Sequence, residues 1–290
     1  MKTFKTIYLT VMILTTICVV GLFGTRRFMI FKGWFSDADI VKESVQVEPF
    51  KEIILDADVA DFTIVEGEEY RVDYEYPSNI AVKGKVENEV LNLSVIGKKN
   101  TGYGLFEVDG KGINTVDTKL TVVVPKGSEV KVADLTIRAG QIRLSDRDFD
   151  TLKADCAAGN LDLKKVKADK LEVKADAGNV EIDDSTFEDA KFTLATGALN
   201  VEDSVIGNLE AQNNMGTLTL YKTNFTKGTL ESNLGKVDVD GEFEELKIVS
   251  NLGGINVDSE NIENAKLDLS VDLGDIIVNG EKKTPAYTQN

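Results

Sequence analysis

The residues of this 290-residue chain best suited to chemistry are carboxylates in a repeating place. "IDDS" at 182–185 and "VEDS" at 201–204 set Asp183 and Asp184 nineteen residues before Glu202 and Asp203. If nineteen residues make one turn of a regular structure, the two pairs face each other one step apart. Stacked carboxylates repel, and a hard divalent cation such as calcium, which prefers clustered oxygens, would relieve them. Two such groups could also serve as acid and base on a glycosidic bond. The plain alternative is a solvated acidic edge. Histidine is absent, which removes the commonest general base and the commonest metal ligand. Cys18 sits in an apolar run and Cys156 stands alone, so neither an intramolecular disulfide nor zinc spacing is present. Cys156 reads as a small core residue.

Charge narrows the partners. There are 33 basic and 49 acidic residues, a net charge of −16. The first 36 residues hold Lys2, Lys5, Arg26, Arg27 and Lys32 and no acid, so the remainder carries 28 basic against 49 acidic residues. Such a surface repels phosphate backbones, which argues against nucleic acid and favours cations or basic partners.

From Thr6 to Thr25 the chain is uncharged and mostly apolar. Twenty such residues cross a hydrocarbon core of about 30 Å, so residues 1–36 are expected to hold a single-pass membrane-anchor helix. A cleaved leader fits less well, because Leu22 stands where a small residue is wanted. Two basic residues precede the run and three follow it, and this leaves the side of the membrane undecided.

The elements that position the carboxylates come from a repeat. Gly140, Gly159, Gly178, Gly197, Gly216, Gly235, Gly253 and Gly274 are spaced by 19, 19, 19, 19, 19, 18 and 21 residues. The second and fourth residues after each are Leu, Ile or Val, from Ile142 and Leu144 to Ile276 and Val278. The residue between them is polar, Ile277 excepted, which is the period of a half-buried strand. A second alternating arm closes each unit, and one further inward contact is expected from Phe149, Val166, Phe187, Val205, Phe225, Phe243 and Ile262. No unit could bury its apolar face alone, but stacked units share a core. The expected fold is therefore all-β, a parallel β-solenoid (β-helix) of about 19-residue coils with glycine at one corner. Leucine-rich repeats are the nearest rival, but their fixed asparagine and helical back are missing. Asn214, Asn233 and Asn251, two residues before successive corner glycines, are expected to form an amide ladder that satisfies the corner backbone.

Four segments follow: 1–36, the anchor; 37–136, an irregular β-rich first part of the solenoid; 137–281, the regular coils; and 282–290, a tail that could blunt the last open edge. Within the second, "GKKNTGYGLFEVDGKG" (97–112) reads as a hairpin loop, its glycines lacking the spacing of a phosphate cradle.

"VEPFKEIILDADVADFTIVEG", "VVVPKGSEVKVADLTIRAGQIRLSD" and the serial "AGNLDL" and "AGNVEI" units resemble the putative-adhesin family of bacterial β-strand-repeat proteins. That family includes LiaG-like proteins encoded with envelope-stress systems in Gram-positive bacteria. The resemblance covers roughly 44–281, implies a membrane-anchored, extracytoplasmic solenoid with no established enzyme activity, and supplies no catalytic residues to carry over; no cofactor is expected. The expected function is a non-catalytic cell-envelope interaction module, adhesin-like or stress-associated, whose partner is an envelope protein or wall polymer. Two alternatives stay open: a bactofilin-like structural polymer joined through its ends, and a carbohydrate-active enzyme. Calcium on the edge of Asp183, Asp184, Glu202 and Asp203 is the one ion this reading admits.

Overall fold

The structure is a computed structural model. It describes residues 39–78, 80–97 and 118–290, together with the strand backbone at 106–109 and 112–115. The anchor expected at Thr6–Thr25 lies outside the described residues. Among these, no helix is long and apolar enough to cross a membrane.

Alternating side chains lay down strands from the start: β1 (Ile40–Gln46), β2 (Glu52–Ala57), β3 (Ala60–Gly67), β4 (Arg71–Pro77), β5 (Ile80–Glu87) and β6 (Val90–Gly97). A separate small unit follows, with β7 (Phe106–Asp109) antiparallel to β8 (Gly112–Thr115), a hairpin that begins inside the glycine-rich segment 97–112 and ends beyond it. β9 (Lys119–Pro125) leads to β10 (Val132–Ala177), a strand that runs on through successive corners. The coils continue as β11 (Val180–Asp183), β12 (Thr186–Glu202), β13 (Val205–Tyr221), β14 (Asn224–Leu234) and β15 (Val237–Asp240). They end with β16 (Phe243–Leu252), β17 (Ile255–Asp258), β18 (Lys266–Leu273) and β19 (Ile276–Val278).

Neighbouring coils pair in parallel at the predicted interval. Leu161 pairs with Val180, Val180 with Leu199, Leu199 with Leu218 and Leu218 with Val237. The shorter and longer steps are kept as well, Val237 with Ile255 and Ile255 with Ile276. The fold is thus an all-β parallel solenoid. In the coil from Asn160 to Gly178 the buried residues fall on three stretches: Leu161 and Leu163, Val166 and Ala168, then Leu171, Val173 and Ala175. Each coil therefore turns three inward faces to one shared core.

The third inward column differs in detail from its expected membership. Phe187 pairs with Ile206 and Ile206 with Phe225, so Ile206 is the buried member and Val205 stands 52% exposed. Ala168, not Val166, pairs with Phe187, although Val166 is buried one place earlier. Ile262 opens a 3₁₀ turn, Ile262–Asn264, that has no buried residue. Two adjacent aliphatics satisfy a two-residue period equally well, and only the corner geometry chooses between them.

At the N-terminal end spatial order departs from chain order. β2 lies between β6 and the start of β10, and β3 between β9 and a later part of β10, all in parallel. The chain thus builds its second coil first, turns back to add the first, then passes on to the third. Antiparallel strands close that end: β4 on β9, β1 on β4 and β5 on β6. The other end is closed in the same way. β20 (Glu281–Lys283) covers β19 and β21 (Ala286–Gln289) covers β18, the blunted edge expected of the tail.

Candidate functional site

The coil corners decide what each side presents. At the first corner the glycines share φ between +127° and +156°. They also stack without room for a side chain: a Cβ on Gly197 would stand 1.8 Å from the carbonyl oxygen of Gly178. Asn233 Nδ2 donates to Asn214 Oδ1 (2.8 Å) and Asn251 Nδ2 to Asn233 Oδ1 (2.7 Å), so the amide ladder is present. These bonds run between the amides themselves; the corner backbone is satisfied instead by the buried Asn213, which bonds both the preceding coil and its own. Asn213 donates Nδ2 to the carbonyl of Gly197 at 3.1 Å and accepts from the Met215 amide at 3.1 Å.

A second corner carries no glycine signal in most coils. Asp146, Lys165, Asp184, Asp203 and Lys222 hold φ values of 54°, 52°, 50°, 48° and 47°, the left-handed region that costs an L-residue energy. Beside it runs a ladder of buried hydroxyls. Ser185 Oγ accepts from the Val166 amide (3.0 Å) and donates to the Asp183 carbonyl (2.8 Å). Ser204 Oγ accepts from the Ser185 amide (3.1 Å) and donates to the Glu202 carbonyl (2.7 Å). Thr223 continues the column with a donation to the Tyr221 carbonyl at 3.1 Å. The spacing of Ser185, Ser204 and Thr223 was the available signal, and polar residues expected to face solvent hid it.

This corner separates the four carboxylates. Asp183 and Glu202 are register partners on β11 and β12 and line a shallow groove of about 610 Å³ with Lys164, Glu181, Asn200 and Tyr221. Asp184 and Asp203 occupy the left-handed positions, and neither lines that groove. Lys164 Nζ reaches Asp183 Oδ2 at 2.6 Å. The hydrogen bond to Asp183, and its charge, raise the Lys164 ammonium above the ordinary lysine value. Among the described residues no group of three or more carboxylate, thiol or imidazole side chains is placed to hold a metal ion. Cys156 is buried in the core, and burial pushes its thiol up to about 12, which keeps it protonated and unreactive.

The sides therefore present ladders of like groups at one-coil intervals, between ends closed by antiparallel strands. This defines a capped parallel β-solenoid with its polar chemistry on its sides. The family model described as Toastrack DUF4097 matches residues 50–240, and the chain belongs to that family. A solved structure from Parabacteroides distasonis ATCC 8503, described as a "putative lipid binding protein", is 16% identical, covers 84% of this chain and 95% of its own, and has a TM-score of 0.52. A "putative adhesin" from Bacteroides fragilis NCTC 9343 is 14% identical over 83% of this chain and 95% of its own, with a TM-score of 0.47. Another from Parabacteroides merdae ATCC 43184 is 12% identical over 84% and 95%, also at 0.47. No curated protein matches the chain.

Proposed function

We propose that the chain is a non-catalytic, adhesin-like binding module of the bacterial cell envelope. Residues 1–36 tether it to the cytoplasmic membrane, and the solenoid stands on the outer side. The observation that carries this reading is the closure of both solenoid ends. β4 and β5 cover the first coil, and β20 and β21 cover the last. A filament joined through its ends, the bactofilin-like alternative, needs open edges with unpaired backbone groups. Capped ends leave the long sides as the surface for a partner. Family membership and the apolar run from Thr6 to Thr25 support the same reading.

Protease added to intact protoplasts tests the location, with lysed cells as the control. Cleavage of the solenoid before lysis is the expected result, and full protection until lysis would place the solenoid inside and end this reading. The full chain, immobilised from detergent, should retain an envelope protein or wall polymer unaltered. Turnover of a wall glycan, lost on a single carboxylate substitution, would make the protein an enzyme instead.

A further inference from the structure

The place directly before each corner glycine forms a column of its own. Thr196 pairs with Met215, Met215 with Leu234, Leu234 with Leu252 and Leu252 with Leu273. The last four stand 39% to 66% exposed. At coil steps of about 4.8 Å they make an apolar ridge about 14 Å long. In the earlier coils the column holds Ala139, Ala158, Ala177 and Thr196, so no charge enters it at any of the eight corner glycines. The places flanking the ridge at Gly197, Gly216, Gly235 and Gly253 are amides, hydroxyls and small residues, with Lys236 the single charge.

A second observation is where the chain enters this column. Lys42 pairs with Glu75, Glu75 with Lys119, Lys119 with Asp61, and Asp61 with Gln141, the residue after Gly140. β1 is antiparallel to β4 and β4 to β9, so β1 runs in the same sense as the coils. Two places before Lys42, Ile40 therefore holds the place before the glycine, in the column of the ridge. Of eleven exposed large hydrophobics among the described residues, five are Ile40 and the four ridge residues, a clustering that scattered exposure would not produce. Ile40 opens β1, and the fourteen residues from Arg26 to Asp39 join it to the uncharged run Thr6–Thr25. The chain leading to that run thus leaves from the long edge that carries the ridge.

Shape and size decide what covers the ridge. It stands on a corner, which projects, and its four side chains supply under half of the ~800 Å² per partner that a stable protein interface buries. A second copy would also set another net charge of −16 against the first. A bilayer accepts a projecting apolar edge without a matching groove. Fourteen residues span at most about 50 Å, so a membrane tether makes that contact intramolecular.

We propose that the glycine corner is a membrane-contact edge. The solenoid lies lengthwise on the bilayer that holds residues 1–36, with Met215, Leu234, Leu252 and Leu273 seated among headgroups and upper acyl chains. The acidic body makes zwitterionic lipid the matching surface. The proposal rests on the tether in the reading above and deepens it by assigning the side that faces the membrane, which leaves the other sides to a partner.

The test uses the full chain in phosphatidylcholine vesicles with acyl chains brominated near the glycerol, which quench tryptophan on contact. Trp34→Phe removes the single native tryptophan, and Leu252→Trp or Val205→Trp supplies the reporter. Both positions are exposed and apolar, and Val205 follows the other corner. Quenching should be about threefold greater, or more, at Leu252→Trp. Met215→Glu with Leu273→Glu, added to that reporter, should lower its quenching by about threefold, because charge resists entry into the interface. Melting curves identify any variant that fails to fold, and the two reporters decide the question without the glutamate pair. Equal quenching at the two positions, or no effect of the glutamate pair in a folded chain, would overturn the proposal. So would disulfide pairing of Leu252→Cys chains at high lipid dilution with Leu252→Trp unquenched, which would make the ridge a contact between copies. Flotation with the vesicles reports the tether separately. Flotation without quenching at Leu252→Trp ends this proposal and leaves the tether, whereas a chain that does not float ends both.

Discussion

Lys164 Nζ lies 2.6 Å from Asp183 Oδ2, one coil step away along the solenoid. Asp183 is in turn the register partner of Glu202. The carboxylate pair that would draw a cation therefore has an ammonium group on its N-terminal side. This column runs lysine, aspartate, glutamate, tyrosine, from Lys164 to Tyr221. Millimolar calcium is expected to leave the melting temperature of the full chain unchanged. Lys164→Met, which removes the ammonium, should allow calcium to raise it by about 2 °C. A calcium-dependent rise in the unsubstituted chain would show that Lys164 does not compete for the site.

The first corner supplies a sharper contrast. Gly197 cannot accept a Cβ, with Gly178 O only 1.8 Å away, whereas at Gly254 the nearest atom would be Asp275 O at an ordinary 3.6 Å. Gly197→Ala should cost about 3 kcal/mol or more, since backbone must move on two coils. Gly254→Ala should stay within about 1 kcal/mol of the parent. Urea unfolding midpoints measure both, and equal losses would show that corner stacking does not set the coil spacing.

The same corner explains how much could be read in advance. A stacked position at positive φ that excludes a Cβ admits only glycine, so the nineteen-residue column was visible and the fold followed from it. The second corner was hidden because its left-handed backbone is borne by Asp184, Asp203 or Lys222, residues equally at home on a solvated edge. The order β6–β2–β10 was hidden for another reason. Alternation tells a strand which face to bury, and is silent about which neighbour it takes. Of the candidate site, the nearness of Asp183 and Glu202 was legible from their spacing. The burial of Ser185, Ser204 and Thr223 at the corner beside them was not, because serine and threonine fit a solvated edge equally well in a pattern of residue types.

Two buried hydroxyls carry a prediction of opposite sign to the usual one. Ser232 and Ser250 are register partners, and neither Oγ has a hydrogen-bond partner. The next member of that column is the apolar Val271. Ser250→Ala should therefore be neutral or stabilise the chain by about 1 kcal/mol, because it removes an unsatisfied polar group. Ser204→Ala removes a hydroxyl that both accepts and donates, and should destabilise by about 1–2 kcal/mol. A loss of stability on Ser250→Ala comparable to that of Ser204→Ala would mean that the Ser250 hydroxyl is satisfied after all.

The C-terminal cap bears on whether the protein stands alone or polymerises. β19 gives its outer edge to β20, with Ile276 opposite Lys283, and β18 gives its own to β21, with Leu267 opposite Gln289. Gln289 Nε2 also donates to the carbonyl of Ala265 at 3.2 Å, and Lys282 pairs with Asp275 at 2.6 Å, so the tail is fastened by side chains as well as by strand pairing. Its own outward edge is short and bears Lys282 and Lys283, the kind of residue that discourages further pairing. Deletion of residues 281–290 should uncover the backbone groups of β18 and β19 while leaving the preceding coils intact, since each coil leans chiefly on its neighbours. The truncated chain should then associate in a concentration-dependent way in analytical ultracentrifugation, while the parent stays at one size in the same detergent. Lysine substitutions at Leu267 and Leu269 would unfold the last coil and confuse the result, so the rescue belongs on the tail: restoring 281–290 with Ala286→Pro and Thr288→Pro, which weakens β21 alone, should give intermediate association. A truncated chain that melts as the parent does and remains at one size would show that the tail is not what keeps the solenoid from end-to-end growth.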